Sequence, residues 1–384
     1  MNTMPVRNKA VQFVKRPHGT PTPEVFKLID LPVPRLNSNE FLVKNLYLSM
    51  DPALVGRMRA ESNYADSVNP GEVMHAYGIG QVVASCHPKV KVGEVRLGRF
   101  DMQQYSLQSD PSASRQINLG LADLTWYLGP VGITGATAYF GLLDIAKPKA
   151  GETLVVSAGA SSVGSIVAQL AKMHGCKTVA IVSSDDKAQQ AIADFGYDAA
   201  VSYRNKSVAE LATALRSACP AGVDIYFDNT SGDISEALLD LYNDFARIVV
   251  CGRLGISHLS DTRHDTGRRD NNIILSKRVR KQGFVLLDYQ HRMMEAVLQL
   301  AAWVKQGKLK IKLDTLDGIE NTSTAFFRML SGQNTGKQLV HLADVDHRID
   351  PAPRWAGRVL TAKRFPREPI LKTLGKARSL TQAS

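Results

Sequence analysis

The chain has 384 residues, 44% hydrophobic and 22% charged, with a formal net charge of +11; this is ordinary for a globular protein with room for two domains and a large core. No apolar run approaches the roughly 18 residues needed to span a bilayer, and the N-terminal "MNTMPVRNKAVQFVKRP" lacks the apolar centre of a secretory signal. The four cysteines, Cys86, Cys176, Cys219 and Cys251, are scattered without a CxxC, which excludes the usual zinc-knuckle spacing and a disulfide framework and makes a reduced, cytoplasmic setting the expectation.

Before about residue 130, short strand-like runs are punctuated by Pro and Gly: "EFLVKNLYLSM", "GIGQVVASC" and "QYSLQ". That pattern predicts an all-β, partly open barrel. From about Gly151 the pattern becomes regular alternation, with apolar runs at 153–158, 177–183, 198–203, 223–229, 246–252 and 282–287. Stretches of helical periodicity separate most of them, which predicts an α/β domain: a parallel, doubly wound sheet with helices on both faces. A helix is expected at about 289–305. "KLKIKLDTLDGIE" and "GKQLVHLA" then return to strand character and are expected to rejoin the first domain. From Asp344 on, Pro, Arg and Lys dominate, and residues 343–384 hold nine Lys/Arg against four Asp/Glu. This reads as a basic tail. A second basic segment, "RHDTGRRDNNIILSKRVRK", covers Arg263 to Lys281. Without a zinc finger, a helix-turn-helix or an RNA-reading aromatic motif, both read as solvated segments rather than nucleic-acid surfaces.

The stretch "ETLVVSAGASSVGSIVAQLAKMHGCKTVAIVSSDDK" carries most of the functional information. A strand runs into Ser157, Ala158, Gly159, Ala160, Ser161 and Ser162, all small. In the helix that follows, Val163, Ile166, Val167, Leu170 and Ala171 share one face. The first N–H groups of such a helix have no intrahelical acceptor and carry partial positive charge, which suits a pyrophosphate. The spacing Ala158-x-x-Ser161-x-x-Gly164 is close to a dinucleotide fingerprint with serine at the central glycine. A hydroxyl there can donate to a phosphate but also crowds the backbone; the plain alternative is a tight packed turn.

The second strand then selects the cofactor. A site for NAD places Asp or Glu at its end, against the ribose 2′-hydroxyl. Here Ser183 and Ser184 stand there, with Lys187 one turn on. Short hydroxyls leave room for a 2′-phosphate and an ammonium neutralises it, so NADP(H) is expected. The alternative for Lys187 is an exposed helix-surface lysine.

The segments "NLYLSMDPALVGRM", "GEVMHAYGIGQVVAS", "GITGATAYFGLLDIAKPKAGETLVVSA", "VDIYFDNTSG", "ARIVVCG" and "GQNTGKQLV" resemble the zinc-independent medium-chain dehydrogenase/reductases. The nearest branch is the NADP-dependent alkenal/one reductases, which includes leukotriene B4 12-hydroxydehydrogenase/prostaglandin reductase. The resemblance covers roughly residues 8–342. It implies a GroES-like β-barrel catalytic domain (1–129), a Rossmann NADP-binding domain (130–305), a return to the catalytic domain (306–342) and the tail (343–384). Carried over position by position, it implies cofactor contacts at Ser161, Ser162, Val163 and Gly164 in the phosphate turn, and at Lys187 and Tyr203 around the 2′-phosphate, beside the Ser184 already read there. It further implies Asn229 in the cofactor groove and Cys251, Gly252 and Ser257 along the nicotinamide side. Phe284, Val285 and Leu286 form another wall, Asn334 a further contact, and Thr137 faces the carboxamide. Tyr64 is the implied substrate-pocket residue. Plainer roles are a helix cap for Asn229, a strand-end aromatic for Tyr203 and core packing for Phe284.

This chain departs from the family where the chemistry lies. The tyrosine of the family's "CGxISxYN" loop is replaced by Ser257, followed by His258, and the family's "DPYMRGRM" appears as "DPALVGRM". Ala53 and Val55 there imply a larger or differently shaped substrate space. The catalytic proton donor is left unassigned. The resemblance implies NADPH-dependent hydride transfer to the β-carbon of an enal or enone, without a metal, in a homodimer. The alternatives are a quinone oxidoreductase on the same scaffold, or a catalytically silent protein that binds a dinucleotide or nucleic acid.

Overall fold

The structure, a computed structural model, describes residues 7–60, 66–259 and 262–349. Its strands are β1 (Arg7–Phe13), β2 (Phe26–Pro32), β3 (Phe41–Ser49), β4 (Tyr77–Ser85), β5 (Val95–Arg99), β6 (Tyr105–Gln108), β7 (Ser114–Gln116), β8 (Thr153–Ser157), β9 (Lys177–Val182), β10 (Ala199–Ser202), β11 (Val223–Asp228), β12 (Tyr242–Val250), β13 (Arg280–Gly283), β14 (Leu313–Asp317) and β15 (Lys337–His341). Its α-helices are α1 (Ala53–Arg57), α2 (Ile133–Phe140), α3 (Gly164–Met173), α4 (Asp185–Phe195), α5 (Val208–Ala218), α6 (Asp233–Ala237), α7 (Asn271–Lys277), α8 (Met293–Lys305) and α9 (Thr322–Leu330).

Six strands form a wholly parallel sheet in the order β10-β9-β8-β11-β12-β13. Sequence order runs outward in both directions from β8, so the switch point lies between β8 and β11. In such sheets ligands bind at the carboxyl ends of the strands flanking the switch point. Successive residues of a strand face opposite sides. Leu154 and Val156 accordingly pack with α2, α3 and α8, whereas Val155 packs with α5 and α6. Both faces are covered, and each such buried aliphatic side chain contributes about 1.5–3 kcal/mol.

The second sheet runs β14-β15-β3-β4-β5-β7, with β6 also on β3, and does not close on itself among the described residues. The hairpin β1–β2 lies against it through single bridges at Ala10–Gln103 and Gln12–Val73. The returning strand β15 pairs antiparallel with β3, Leu339 opposite Ser49, so the end of the chain completes the sheet begun near its start.

Three features differ from the sequence-based expectations. The last parallel strand is Arg280–Gly283, ahead of the apolar run at 282–287. As an edge strand it is exposed throughout, and Phe284 and Leu286 pack on the core just beyond it. Helix α3 is buried nearly all round rather than on one face. Gln169 allows this: its amide donates to Lys310 O at 3.2 Å and accepts from Lys310 N at 2.7 Å, so its polar side chain is satisfied inside. Finally, ordered packing continues past residue 342. Ala343 and Val345 pack on the core, and Asp346 N donates to Gln81 Oε1 at 2.8 Å. Residues 350–384 of the basic tail lie outside the described residues.

Candidate cofactor and substrate site

The turn after β8 is built by close approach. Ala158 takes φ +49°, and the turn closes with Ser161 N donating to Ala158 O at 2.9 Å. A Cβ on Gly164 would stand 2.5 Å from Ala158 O, and one on Gly159 would stand 2.6 Å from Ala180 Cβ. Only glycine fits at either place. Ser161, at the family's glycine position, does not crowd the turn: its Oγ accepts from Gly164 N at 3.1 Å, and its hydroxyl hydrogen remains to donate outward. The N–H groups of Ser162 and Val163 have no protein acceptor among the described residues, and they stand at the opening of α3. These are the donors an anionic diphosphate requires.

A residue that sequence reasoning missed holds this turn. Tyr197 is fully buried, and its hydroxyl reaches the carbonyl oxygens of both Gly159 and Gly164. Burial pushes its phenol well above the usual range, so it is a permanent donor.

At the end of β9, Ser184 caps α4, its Oγ accepting from Lys187 N at 3.3 Å. Asp185 accepts from Ser202 Oγ, which turns its carboxylate toward β10 and into the first turn of its own helix. Tyr203 follows β10, its N–H donating to Val182 O at 2.9 Å, so it stands beside the Ser183–Ser184 pair. Lys187 is not a free surface lysine. Its ammonium donates to Asn334 O, and burial lowers its pKa. Gln190 adds a bond to Thr335 O at 2.5 Å. Ser184, Lys187, Tyr203 and Asn334, far apart in sequence, therefore meet at one corner.

Asn229 does not cap a helix. Its side chain donates to Ser157 O at 2.7 Å and its backbone N–H to Ser157 Oγ at 2.8 Å, tying β11 to β8 at the switch point. The neighbouring Asp228, which the sequence reading passed over, is buried and accepts from Thr230 N (2.9 Å), Ser231 N (2.8 Å), Tyr226 OH (3.0 Å) and Ser235 Oγ (2.7 Å). Ser231 Oγ in turn donates to Gly252 O at 3.1 Å. Cys251 N and Gly252 N both donate to Asp228 O, which starts the 251–257 loop in register with β11. Burial pushes the Cys251 thiol up to about 12, so it is an unreactive thiol at neutral pH.

Ser257 Oγ donates to Leu254 O at 2.7 Å, so its hydrogen is engaged within the loop. His258 is exposed. Thr137 Oγ1 donates to Ile133 O at 2.8 Å. Phe284 packs edge-on to Tyr289, and a Cβ on Gly141 would stand 2.9 Å from the Phe284 ring; Val285 and Leu286 follow, half-buried. Of the two exchanges expected to widen the substrate space, Val55 does not: at 2% exposure it is part of the core, whereas Ala53 is exposed. Tyr64 lies outside the described residues.

A strap, residues 14–25, connects β1 and β2. It is flanked by cavities of about 470 and 490 Å³; the second, between Pro21, Pro23, Phe327 and Leu330, reaches Gln333 beside Asn334.

Four cations of the basic segment at 263–281 pair with acids of the same chain. Arg268 bonds Asp240, Arg278 and Lys277 bond Asp244, and Lys281 bonds Asp270.

Residues 9–117 match the family described as the N-terminal domain of oxidoreductase, and residues 162–303 match the zinc-binding dehydrogenases. The NADPH-dependent curcumin reductase of Escherichia coli (strain K12) is 36% identical over 88% of this chain and 98% of its own length. The NADP(+)-dependent 2-alkenal reductase of Nicotiana tabacum is 36% identical over 81% of this chain and 90% of its own. Among solved structures, CurA from Vibrio vulnificus in complex with NADPH superimposes with a TM-score of 0.80 at 34% identity, covering 88% of this chain and 99% of that one. The quinone oxidoreductases of Pseudomonas syringae pv. Tomato DC3000 and Escherichia coli are 20% and 19% identical, a likeness that carries the fold alone. Among the described residues no three His, Cys, Asp or Glu side chains gather, and the Cys176 thiol donates to Lys149 O. With the phosphate turn, the Lys187 corner and these relatives together, the chain belongs to the zinc-independent medium-chain dehydrogenase/reductases, in the branch of the NADP-dependent alkenal/one reductases.

Proposed function

We propose that this NADP-dependent oxidoreductase reduces the carbon–carbon double bond of α,β-unsaturated aldehydes and ketones. The observation that carries the reading is the meeting of Ser184, Lys187, Tyr203 and Asn334 beside the bare turn at Gly159–Gly164. NADPH, when bound, supplies a hydride. The chain's residues do the rest. The N–H groups of Ser162 and Val163 and the Ser161 hydroxyl hold the diphosphate, and the Lys187 ammonium holds the 2′-phosphate. Asn229 and the 251–257 loop line the groove, while Phe284 and its neighbours exclude water on the far side. The β-carbon of the enone accepts the hydride, and charge develops on the carbonyl oxygen. With the Ser257 hydrogen engaged at Leu254 O, the α-carbon takes its proton from solvent.

The second sheet, with residues 1–129 and 306–342, serves in this reading as the GroES-like catalytic domain; residues 130–305 are the Rossmann domain. A homodimer is the proposed assembly, supported by the uncovered edge of β13. The pairing of Arg268, Arg278 and Lys281 with Asp240, Asp244 and Asp270 supports a small-molecule enzyme over a nucleic-acid binder. Four free cysteines support a cytoplasmic setting. The test is NADPH consumption measured against a panel of enals, enones and a naphthoquinone. Turnover of enals or enones with formation of the saturated carbonyl is expected. Turnover of the quinone alone, or of nothing, overturns the reading.

A further inference from the structure

The strap between β1 and β2 reads "VKRPHGTPTPEV", with Pro17, Pro21 and Pro23 fixing backbone angles along its length. Two arginines hold it. Arg16 donates to Met58 O at 3.1 Å and to Asn69 Oδ1 at 3.2 Å. Arg59, just after α1, donates to Pro17 O at 3.3 Å and Gly19 O at 3.0 Å, and also to Ser257 O at 2.5 Å. One guanidinium thus spans three backbone carbonyls from two segments that belong to different sheets. The strap comes close to the loop there: a Cβ on Gly19 would stand 3.9 Å from His258 O.

Arg59 is half-buried, and burial together with the nearby Arg253 lowers its pKa. A partly desolvated cation held by carbonyls is a poor source of stability. Its value lies in geometry, because a planar fork with five N–H donors can hold several carbonyls at fixed angles where an ammonium cannot.

Resting on the function proposed above, we propose that Arg59 is a positioning residue. It clamps the strap to the 254–259 loop and so fixes the width of the cleft on its substrate side. It touches neither the phosphate turn nor the Lys187 corner, and it meets the loop along the nicotinamide side only at the Ser257 carbonyl, so its effect on the enone exceeds its effect on the cofactor.

The experiment compares Arg59→Ala and Arg59→Lys with wild type in NADPH-dependent enone reduction, NADPH titration and amide hydrogen exchange. For Arg59→Ala, KM for the enone rises tenfold or more, kcat stays within about threefold, and NADPH affinity within about twofold. Arg59→Lys recovers part of the KM, since charge without the fork restores only some of the bonds. An unchanged KM in folded Arg59→Ala, or a parallel loss of NADPH affinity and kcat, overturns the proposal. If wild type binds NADPH but reduces no enone, the proposed function falls and the clamp is judged from exchange alone. Faster exchange in segments 15–20 and 254–259 of Arg59→Ala then supports the clamp, and equal exchange overturns it.

Discussion

The hydroxyl of Tyr197 lies 2.9 Å from the carbonyl oxygen of Gly164, and 3.1 Å from that of Gly159. One buried side chain thereby joins the two ends of the phosphate turn. Tyr197→Phe removes both bonds while keeping the ring. The expected result is a loss of about 1–2 kcal/mol in denaturant unfolding and weaker NADPH binding by fluorescence titration. A variant with unaltered affinity would show that the turn keeps its shape without the tyrosine.

Lys187→Ala is expected to weaken NADPH binding roughly tenfold or more, leaving NADH binding nearly unchanged. The ammonium also donates to Asn334 O, so Gln190→Ala, which removes the adjoining bond to Thr335 O, is the control. That variant should affect both coenzymes alike and slightly. Equal losses of NADPH and NADH in Lys187→Ala would show that the lysine only braces the 334 loop.

Asp228 gathers two backbone N–H groups and three hydroxyls around one buried carboxylate. Charge-assisted bonds of this kind are the strong ones. Asp228→Asn keeps the shape but removes the charge, and about 2 kcal/mol of stability is expected to go with it. Because Ser231 links this cluster to Gly252 O, kcat/KM should fall as well. Chemical denaturation and steady-state kinetics check the two halves separately.

Asp101 sits at φ +63°, and its Oδ1 has no hydrogen-bond partner. Burial raises its pKa from the ordinary 3.8 to about 6, against the pull of Arg99. The folded value exceeds the unfolded one, so the contribution is fully present below about pH 4 and is lost as pH rises through about 6. Asp101→Asn tolerates the left-handed backbone and cannot ionise. It should therefore be more stable than wild type at pH 7–8, by about 1–3 kcal/mol, with no gain at pH 4. Thermal unfolding at the two pH values distinguishes this from a pH-independent effect.

The parallel sheet was legible because its strands are buried on both faces and its helices carry period 3.6, two patterns that local sequence displays directly. The phosphate turn was legible for the same reason: a bare corner shows itself as a run of small residues. Edge strand β13 was misplaced because exposure on both faces removes the apolar pattern, and the eye moves to the next apolar run, Phe284–Leu287. Tyr197, Asp228 and Arg59 escaped notice because their partners lie elsewhere in the chain or on backbone carbonyls, and no local pattern marks a long-range hydrogen bond. Val55 was read as part of the substrate space from a motif alignment alone, yet the turn of α1 rotates it into the core.

The pairing of β15 with β3 has a consequence for synthesis. The residues of β3 near Ser49 emerge from the ribosome early, but their neighbours on that side, Leu339 to His341, emerge almost last. During most of translation that stretch shows bare amides and carbonyls, an invitation to mispair with a neighbouring nascent chain. The parallel sheet, by contrast, has all its strands once Gly283 is made. A stop codon that removes β15 would leave this nucleotide-binding half whole and strand the other half with an unsealed seam.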